Sequence, residues 1–246
     1  MEFPVELIEK LKSASSVLFF TGAGISAESG IETFRGKGGL WNKMKPEELA
    51  SYNGFMRNPD LVWEWYQYRR KIVRDTGPNP GHITIAEFQK YFDDVTVVTQ
   101  NVDNLHHRAG SNNILEVHGN IERNYCMDCR TFYGVEDFLD VVEAPKCPKC
   151  GGMIRPDVVW FGEMLPQDIF LEAERKAKMS DVCFIVGTSA VVYPAAYIPL
   201  SAKEGDSYLV EINIEPTEIT NLADCSLIGK SGEILPKILN YLKLGM

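Results

Sequence analysis

Five short apolar runs constrain this chain more than any motif does. They are Val17-Leu18-Phe19-Phe20, Val95-Thr96-Val97-Val98-Thr99, Ile114-Leu115-Glu116-Val117, Val182-Cys183-Phe184-Ile185-Val186 and Tyr208-Leu209-Val210-Glu211-Ile212. Each is nearly continuous in apolar character, the pattern of strands buried on both faces. Segments of helical period separate them: residues 5–13, residues 59–75 opened by Asn58-Pro59-Asp60, residues 80–92 begun by Pro80, residues 167–178 and residues 231–244. Val158-Val159-Trp160-Phe161 reads as extended. Strands alternating with helices predict an α/β fold, a parallel sheet with helices on both faces.

Ligands on such sheets bind at the carboxyl ends of the strands. There the sequence places Gly22–Ser26, Gln100–Asp103, His118, Gly187–Ser189 and Asn213, one group after each run. This concentration predicts a nucleotide pocket. Gly22-Ala23-Gly24-Ile25-Ser26-Ala27 matches G-x-G-x-x-[GA], in which glycines let backbone N–H groups approach a phosphate. A lone match is more often a plain turn. A dehydrogenase would continue into a second strand ending in an acidic residue about 20 positions on. Here the chain continues as a glycine-rich loop, Gly30-Ile31-Glu32-Thr33-Phe34-Arg35-Gly36. A dinucleotide fits, and hydride transfer is not indicated.

Residues 122–155 differ in character. Cys126-x2-Cys129-x17-Cys147-x2-Cys150 has the spacing of a four-thiolate zinc ribbon. Thiolates fill all four positions, so no site is left for a reacting water and the ion is expected to be structural. The ribbon carries five basic and six acidic residues, and the whole chain has a net charge of −9, which argues against nucleic-acid binding. Cys183, inside an apolar run, reads as core. The acidic, amphipathic start lacks the pattern of a signal peptide. Residues 182–200 are uncharged, but Gly187-Thr188-Ser189, Pro194 and Pro199 interrupt them, so no membrane span is expected and the cytoplasm is the expected location. With 246 residues, the chain has room for one large domain with or without a small one.

The combined pattern resembles the sirtuins. It consists of Thr21-Gly22-Ala23-Gly24-Ile25-Ser26, Gly30-Ile31-x-x-Phe34-Arg35-Gly36, Thr99-Gln100-Asn101-Val102-Asp103, His118-Gly119-Asn120, the four cysteines, Phe161-Gly162-Glu163, Gly187-Thr188-Ser189 and Asn213. One departure is Glu32-Thr33, where many members carry Pro-Asp or Pro-Thr. The resemblance implies a large Rossmann-like NAD-binding domain of residues 1–33, 78–121 and 157–246. It also implies a small domain of residues 34–77 and 122–156, a helical insert plus the zinc ribbon. NAD and an acyl-lysine peptide would meet between them. The implied enzyme transfers the acyl group from protein lysine to ADP-ribose, giving nicotinamide, O-acyl-ADP-ribose and free lysine. The chain is expected to act as a monomer.

Residue roles follow from the same resemblance. His118 looks like the general base for a ribose hydroxyl, a role suited to an imidazole; outside this context it would read as a capping or core histidine. Asn101 looks like the group orienting the ribose or a water, and Asp103 like the acceptor for the nicotinamide carboxamide, although both residues also suit a helix N-cap. The phosphate and ribose contacts would include Gly22, Ala23, Gly24, Ser26, Arg35, Gln100 and Val102. Phe34 would shield the ribose carbon, with Trp41 nearby, and Gly187, Thr188, Ser189, Asn213, Glu215 and Ser231 would lie on the adenosine side. His82, His106 and His107 read as structural or solvated.

Tyr66 and Arg69 stand three apart on one predicted helix face. They resemble the Tyr-x-x-Arg pair of the sirtuin branch that removes succinyl and malonyl groups, as do Val158–Glu163 and Gly39-Leu40-Trp41. A guanidinium binds an acyl carboxylate bidentately and a phenol adds one hydrogen bond. By spacing alone, Arg69 and Arg70 would instead sit on a solvated face, paired with acids. Peptide binding is expected at Val159, Phe161 and the neighbouring backbone, and at Val191–Tyr193, by strand pairing. Two other functions compete: ADP-ribosylation of a protein side chain, and a non-catalytic nucleotide-sensing module.

Overall fold

The protein is described by a computed structural model covering residues 3–34, 39–43 and 45–245. Helix α1 (Val5–Ser13) precedes strand β1 (Ser16–Thr21), which turns at Gly22 into the short α2 (Ala23–Ala27). The insert follows as α3 (Pro46–Leu49), α4 (Tyr52–Arg57) and the long α5 (Pro59–Asp75). Then come α6 (Pro80–Phe88), β2 (Asp94–Thr99), α7 (Leu105–Arg108) and β3 (Ile114–Glu116). Strands β4 (Gly119–Cys126), β5 (Phe132–Gly134) and β6 (Ile154–Val158) carry the cysteine region. The chain finishes with α8 (Gln167–Met179), β7 (Val182–Val186), α9 (Tyr197–Glu204), β8 (Tyr208–Asn213), β9 (Cys225–Ile228) and α10 (Ser231–Gly245).

The main sheet has the order β3-β2-β1-β7-β8-β9, and every pair in it is parallel. Alternate residues of each strand feed opposite cores. Val17, Phe19, Val182, Phe184 and Val210 face α1, α6 and α10, whereas Leu18, Phe20, Cys183, Ile185 and Leu209 face α8 and α9. Each fully buried Val, Leu, Ile or Phe contributes about 1.5–3 kcal/mol, so both faces need helical cover. That is why the runs look unbroken in sequence.

The chain leaves β1 towards β2 and β3 on one side and returns through β7 to the other. The crevice of such a sheet lies where the order reverses, here at the ends of β1 and β7. The two loops touch through backbone: Gly22 N–H donates to Val186 O (3.0 Å) and Gly24 N–H to Gly187 O (2.8 Å). Gly187 has φ +60°, and a Cβ there would lie 2.4 Å from Ile25 N. Further along, the buried Glu211 of β8 accepts hydrogen bonds from Thr217 (2.5 Å), Thr220 (2.7 Å) and Ser226 (2.7 Å), which pin the loop after β8.

A second sheet, β5-β4-β6, is antiparallel. Helix α5 fastens the insert to it. Arg70 Nε donates to Ile121 O (2.8 Å), its Nη2 donates to Asn124 Oδ1 (2.5 Å), and its guanidinium lies over the Trp63 ring. Trp63 Nε1 donates to Val141 O (2.8 Å).

Several elements differ from the sequence expectation, and the run read as extended at Val158–Phe161 is instead the end of β6, which begins at Ile154 and stops at Val158. The helix begun at Pro80 ends at Phe88 rather than residue 92, because Gln89 turns its amide back on Ala86 O (2.8 Å) and Phe92 folds in to stack on Phe88. Strand β9, unforeseen, is a short edge strand in which buried Cys225 and Leu227 alternate with exposed Ser226 and Ile228.

Gly187→Ala combines a strained φ with a backbone collision and is expected to destabilise the protein by about 2–3 kcal/mol, lowering the unfolding midpoint by roughly 4–10 °C. Gly30→Ala, at φ +95° but with no atom within 4 Å of the added methyl, is expected to lose only about 1–2 kcal/mol. Paired thermal melts check the difference; equal shifts would remove the loop contact as its cause.

Candidate functional site

A cavity of about 930 Å³ opens at the carboxyl ends of the main sheet and runs between it, the insert and the cysteine region. That is the size of a cofactor or large-ligand site. Its walls include Gly22, Ala23, Gly24, Gln100, Asn101, Val102, His118, Gly187, Thr188, Ser189, Asn213, Glu215 and Ser231. The insert side adds Phe34, Trp41, Tyr66 and Arg69, and the segment after β6 adds Val159 and Phe161. Residues expected from stretches of sequence spread between Gly22 and Ser231 are thus brought to one space. Ser26 and Asp103 do not line it but sit buried beside it. Arg35 lies outside the described residues.

Ser26 and Asp103 belong to a buried polar floor. Ser26 Oγ donates to Asp103 Oδ2 (2.6 Å), and Asn101 Nδ2 donates to Ser26 Oγ (3.1 Å) and Gly22 O (3.0 Å). Leu105 N–H donates to Asp103 Oδ1 (3.0 Å), so the helix-capping reading of Asp103 also holds. Burial raises the Asp103 carboxyl above its usual range; the Ser26 and Leu105 hydrogen bonds and the charge of Arg69 oppose that. Thr21 Oγ1 donates to Thr99 Oγ1 (2.9 Å), which accepts from Asn101 N–H (3.0 Å). His106 Nε2 lies 3.0 Å from Thr21 Oγ1, and His82 Nε2 lies 3.4 Å from Ser26 Oγ. Burial pushes His82 down to about 4 and His106 well below its ordinary value, so both are neutral at neutral pH. These two support the floor, whereas His107 is half-exposed beside Glu116.

His118 stands where β3 turns into β4. Its Nδ1 lies 3.0 Å from Gln100 O. A carbonyl can only accept, so Nδ1 carries the proton and Nε2 presents its lone pair. The backbone carbonyl of His118 accepts from Val159 N–H (2.9 Å), tying the β3–β4 turn to the cavity's opposite lip.

On α5, Tyr66 and Arg69 are buried rather than solvated, and so is Arg70. Among the described residues neither arginine forms an ion pair, which rules out the solvated-face alternative. The Arg69 guanidinium lies 5.0 Å over the Phe34 ring and 5.9 Å from that of Trp65. Burial lowers its pKa and raises that of Tyr66 to about 12. Trp160 Nε1 donates to Tyr66 Oη (2.9 Å). Among the wall residues that escaped sequence reading are Glu28 and Trp65. Glu28 accepts from Ser231 Oγ (2.8 Å) and Gly232 N–H (3.0 Å) at the start of α10, and Trp65 packs against Trp41. No local spacing links positions 28 and 231.

The four cysteine sulfurs lie within 4.8 Å of one another, with Cys126–Cys150 at 3.5 Å and Cys129–Cys147 at 3.7 Å. A tetrahedron with Zn–S bonds of about 2.3 Å needs sulfur separations near 3.8 Å. The donor set therefore fits zinc. The Thr131 and Tyr133 hydroxyls lie 3.2 Å from the Cys129 sulfur and 3.0 Å from that of Cys147. Hydrogen bonding from Thr131 pulls the Cys129 thiol down to about 6, towards the ligating thiolate.

Comparison with known proteins finds one family throughout. The Sir2 family model matches residues 22–194. The NAD-dependent protein deacylase of Pyrococcus furiosus is 52% identical over 243 residues, covering 97% of each chain. A crystal structure of a Sir2 homolog–NAD complex superposes with a TM-score of 0.93 at 42% identity, covering 99% of this chain and 95% of that one. A Sir2 homologue mutant in complex with 2'-O-acetyl ADP ribose gives 0.93 at 42% identity, covering 99% and 98%.

The ribbon's metal is open to direct measurement. Elemental analysis is expected to find about one zinc per chain, lost in Cys129→Ala. Hydrogen exchange in that variant is expected to rise across β4–β6 before it rises in the main sheet. Full zinc retention without Cys129 would reject the four-thiolate site.

Proposed function

The chain belongs to the Sir2 family, and from that premise we propose how its own residues divide the work of an NAD-dependent protein deacylase. The enzyme moves an acyl group from protein lysine to ADP-ribose, and it holds one structural zinc. When bound, NAD supplies an electrophilic ribose carbon with nicotinamide as leaving group and hydroxyls to receive the acyl group. His118 Nε2 takes the proton from a ribose hydroxyl, because the Gln100 carbonyl fixes the tautomer that leaves that nitrogen basic. This pairing, inside a cavity floored by the glycine loop, is the observation that carries the reading.

Asn101 orients the ribose or a water from a side chain already anchored on Gly22 and Ser26. Asp103 accepts from the nicotinamide carboxamide. Its carboxylate has about four lone-pair directions, of which Ser26 and Leu105 occupy two. The backbone of Gly22–Gly24, with Ser26, Arg35, Gln100 and Val102, takes the phosphates and inner ribose. Gly187–Ser189, Asn213, Glu215 and Ser231 take the adenosine end. Phe34 and Trp41 cover the ribose carbon. Val159 and Phe161 flank the acyl-lysine peptide.

Acyl preference extends to succinyl and malonyl groups through Tyr66 and Arg69. The support is a buried guanidinium with no carboxylate partner among the described residues, beside a buried phenol, on the wall of the same cavity. The large domain is residues 1–33, 78–121 and 157–246, and the small domain residues 34–77 and 122–156. The chain works as a monomer in the cytoplasm. Its two Cys-x-x-Cys pairs, set for a metal rather than for disulfides, suit a reducing compartment.

Mass spectrometry of one lysine peptide, acetylated or succinylated, with and without NAD, tests the reading. Loss of both groups with matching acyl-ADP-ribose is expected; adenine-labelled product left on protein would indicate ADP-ribosylation instead. His118→Ala is expected to lower deacylation by about 10²–10⁴-fold while NAD still binds. Arg69→Met is expected to lower desuccinylation relative to deacetylation at least tenfold, and an unchanged ratio would end the carboxylate reading.

A further inference from the structure

Trp160 lies between the zinc-bearing sheet and the acyl wall, in an irregular segment that follows β6. Trp160 is 2% exposed, and the Phe55 ring packs against it with centroids 5.2 Å apart. Its backbone N–H donates to Glu163 Oε2 (2.8 Å). The Arg155 guanidinium lies 3.3 Å over its ring. Its indole N–H donates to Tyr66 Oη (2.9 Å). Arg155 is itself held by Glu163 (2.5 and 3.0 Å) and by Val158 O (2.8 Å). One guanidinium therefore clamps both ends of the segment and presses on the indole between them.

The chemical consequence falls on Tyr66. An indole nitrogen can only donate, so the direction of the Trp160–Tyr66 hydrogen bond is not in doubt. The phenol oxygen spends acceptor capacity on Trp160. Its own proton meets no acceptor among the described residues, and the residue lines the cavity. Arg69, three residues on, also offers only donors. This end of the wall thus presents a set of donors without a matching acceptor. A carboxylate, which only accepts, matches that set; a neutral acyl end does not.

We propose that Trp160 is a positioning residue for acyl choice: its indole N–H commits the Tyr66 hydroxyl to donate, and so selects acyl groups that end in a carboxylate. The inference rests on the assignment of Tyr66 and Arg69 to acyl recognition. It adds that the preference is set partly by a residue acting through Tyr66. It also gives Arg155 and Glu163 a role, since they hold the indole in the one orientation that reaches the phenol.

A double-mutant cycle tests it, read as the ratio of kcat/KM for succinyl-lysine to that for acetyl-lysine in the same peptide. Trp160→Phe keeps an aromatic ring and removes the N–H. It is expected to lower the ratio five- to tenfold, mainly through KM for the succinyl peptide. In a Tyr66→Phe background the same change is expected to leave the ratio where Tyr66→Phe alone puts it. An unchanged ratio, or an equal further loss without the Tyr66 hydroxyl, would overturn the role of Trp160. The wild-type protein gives a second reading that does not depend on how the variants fold. The Trp160 indole proton resonance is expected to move downfield with succinyl-lysine peptide more than with acetyl-lysine peptide, because an oxygen that donates its own proton accepts more strongly; equal shifts would overturn the proposal. Arg69→Met separates the two levels. If it leaves the ratio intact, acyl recognition by Tyr66 and Arg69 fails. If it lowers the ratio while Trp160→Phe does not, only the positioning role fails.

Discussion

The contact between two loops, Gly22–Gly24 after β1 and Gly187 after β7, governs the geometry of the whole cavity. Those loops meet backbone to backbone with no room for a methyl group. The strand order reverses there, so the sheet opens a crevice at that point and nowhere nearer its edges. From Gly22 the floor extends by short hydrogen bonds, through Asn101 to Ser26 and Asp103, and through Thr21 and Thr99 back to the Asn101 backbone. A shift of one loop would move every one of these groups.

The other wall depends on different physics. The insert has a helix, α5, on which Arg69 and Arg70 are buried, and a buried guanidinium is stable only where aromatic faces and carbonyls receive it. Arg70 has three amide oxygens and the Trp63 ring, and Arg155 has a carboxylate and the Trp160 ring. Arg69 has two aromatic faces and no oxygen among the described residues. That imbalance separates Arg69, whose charge lines the cavity without an ion pair among the described residues, from two arginines that brace the small sheet.

Much of this was legible in the sequence because it was local. Gly22–Gly24, Gln100–Asp103, His118 and Gly187–Ser189 each follow an apolar run directly, and the paired Cys-x-x-Cys turns need only spacing to be read. Illegible features depend on distant partners. Glu28 and Ser231 meet across the fold, and His82 and His106 look like ordinary helix histidines until burial places them under Ser26 and Thr21. Strand β9 was missed because an edge strand shows alternation over only four residues, too few to stand out from loop. The end of α6 was overrun for the opposite reason: Phe92 keeps an apolar rhythm by packing on the core after the helix has stopped.

The stacking of Arg69 on Phe34 has a thermodynamic consequence. Phe34 belongs to the loop that follows the glycine turn, and Arg69 to the acyl wall, so one ring face is part of the surroundings of both sites. Any ligand that changes the position of that ring changes the electrostatic environment of the guanidinium, and neutralising the guanidinium changes the stability of the ring's position in turn. Linkage makes such effects equal in both directions. On the reading proposed for Arg69, one coupling free energy links affinity for the dinucleotide to affinity for an anionic acyl chain, and it acts equally on both.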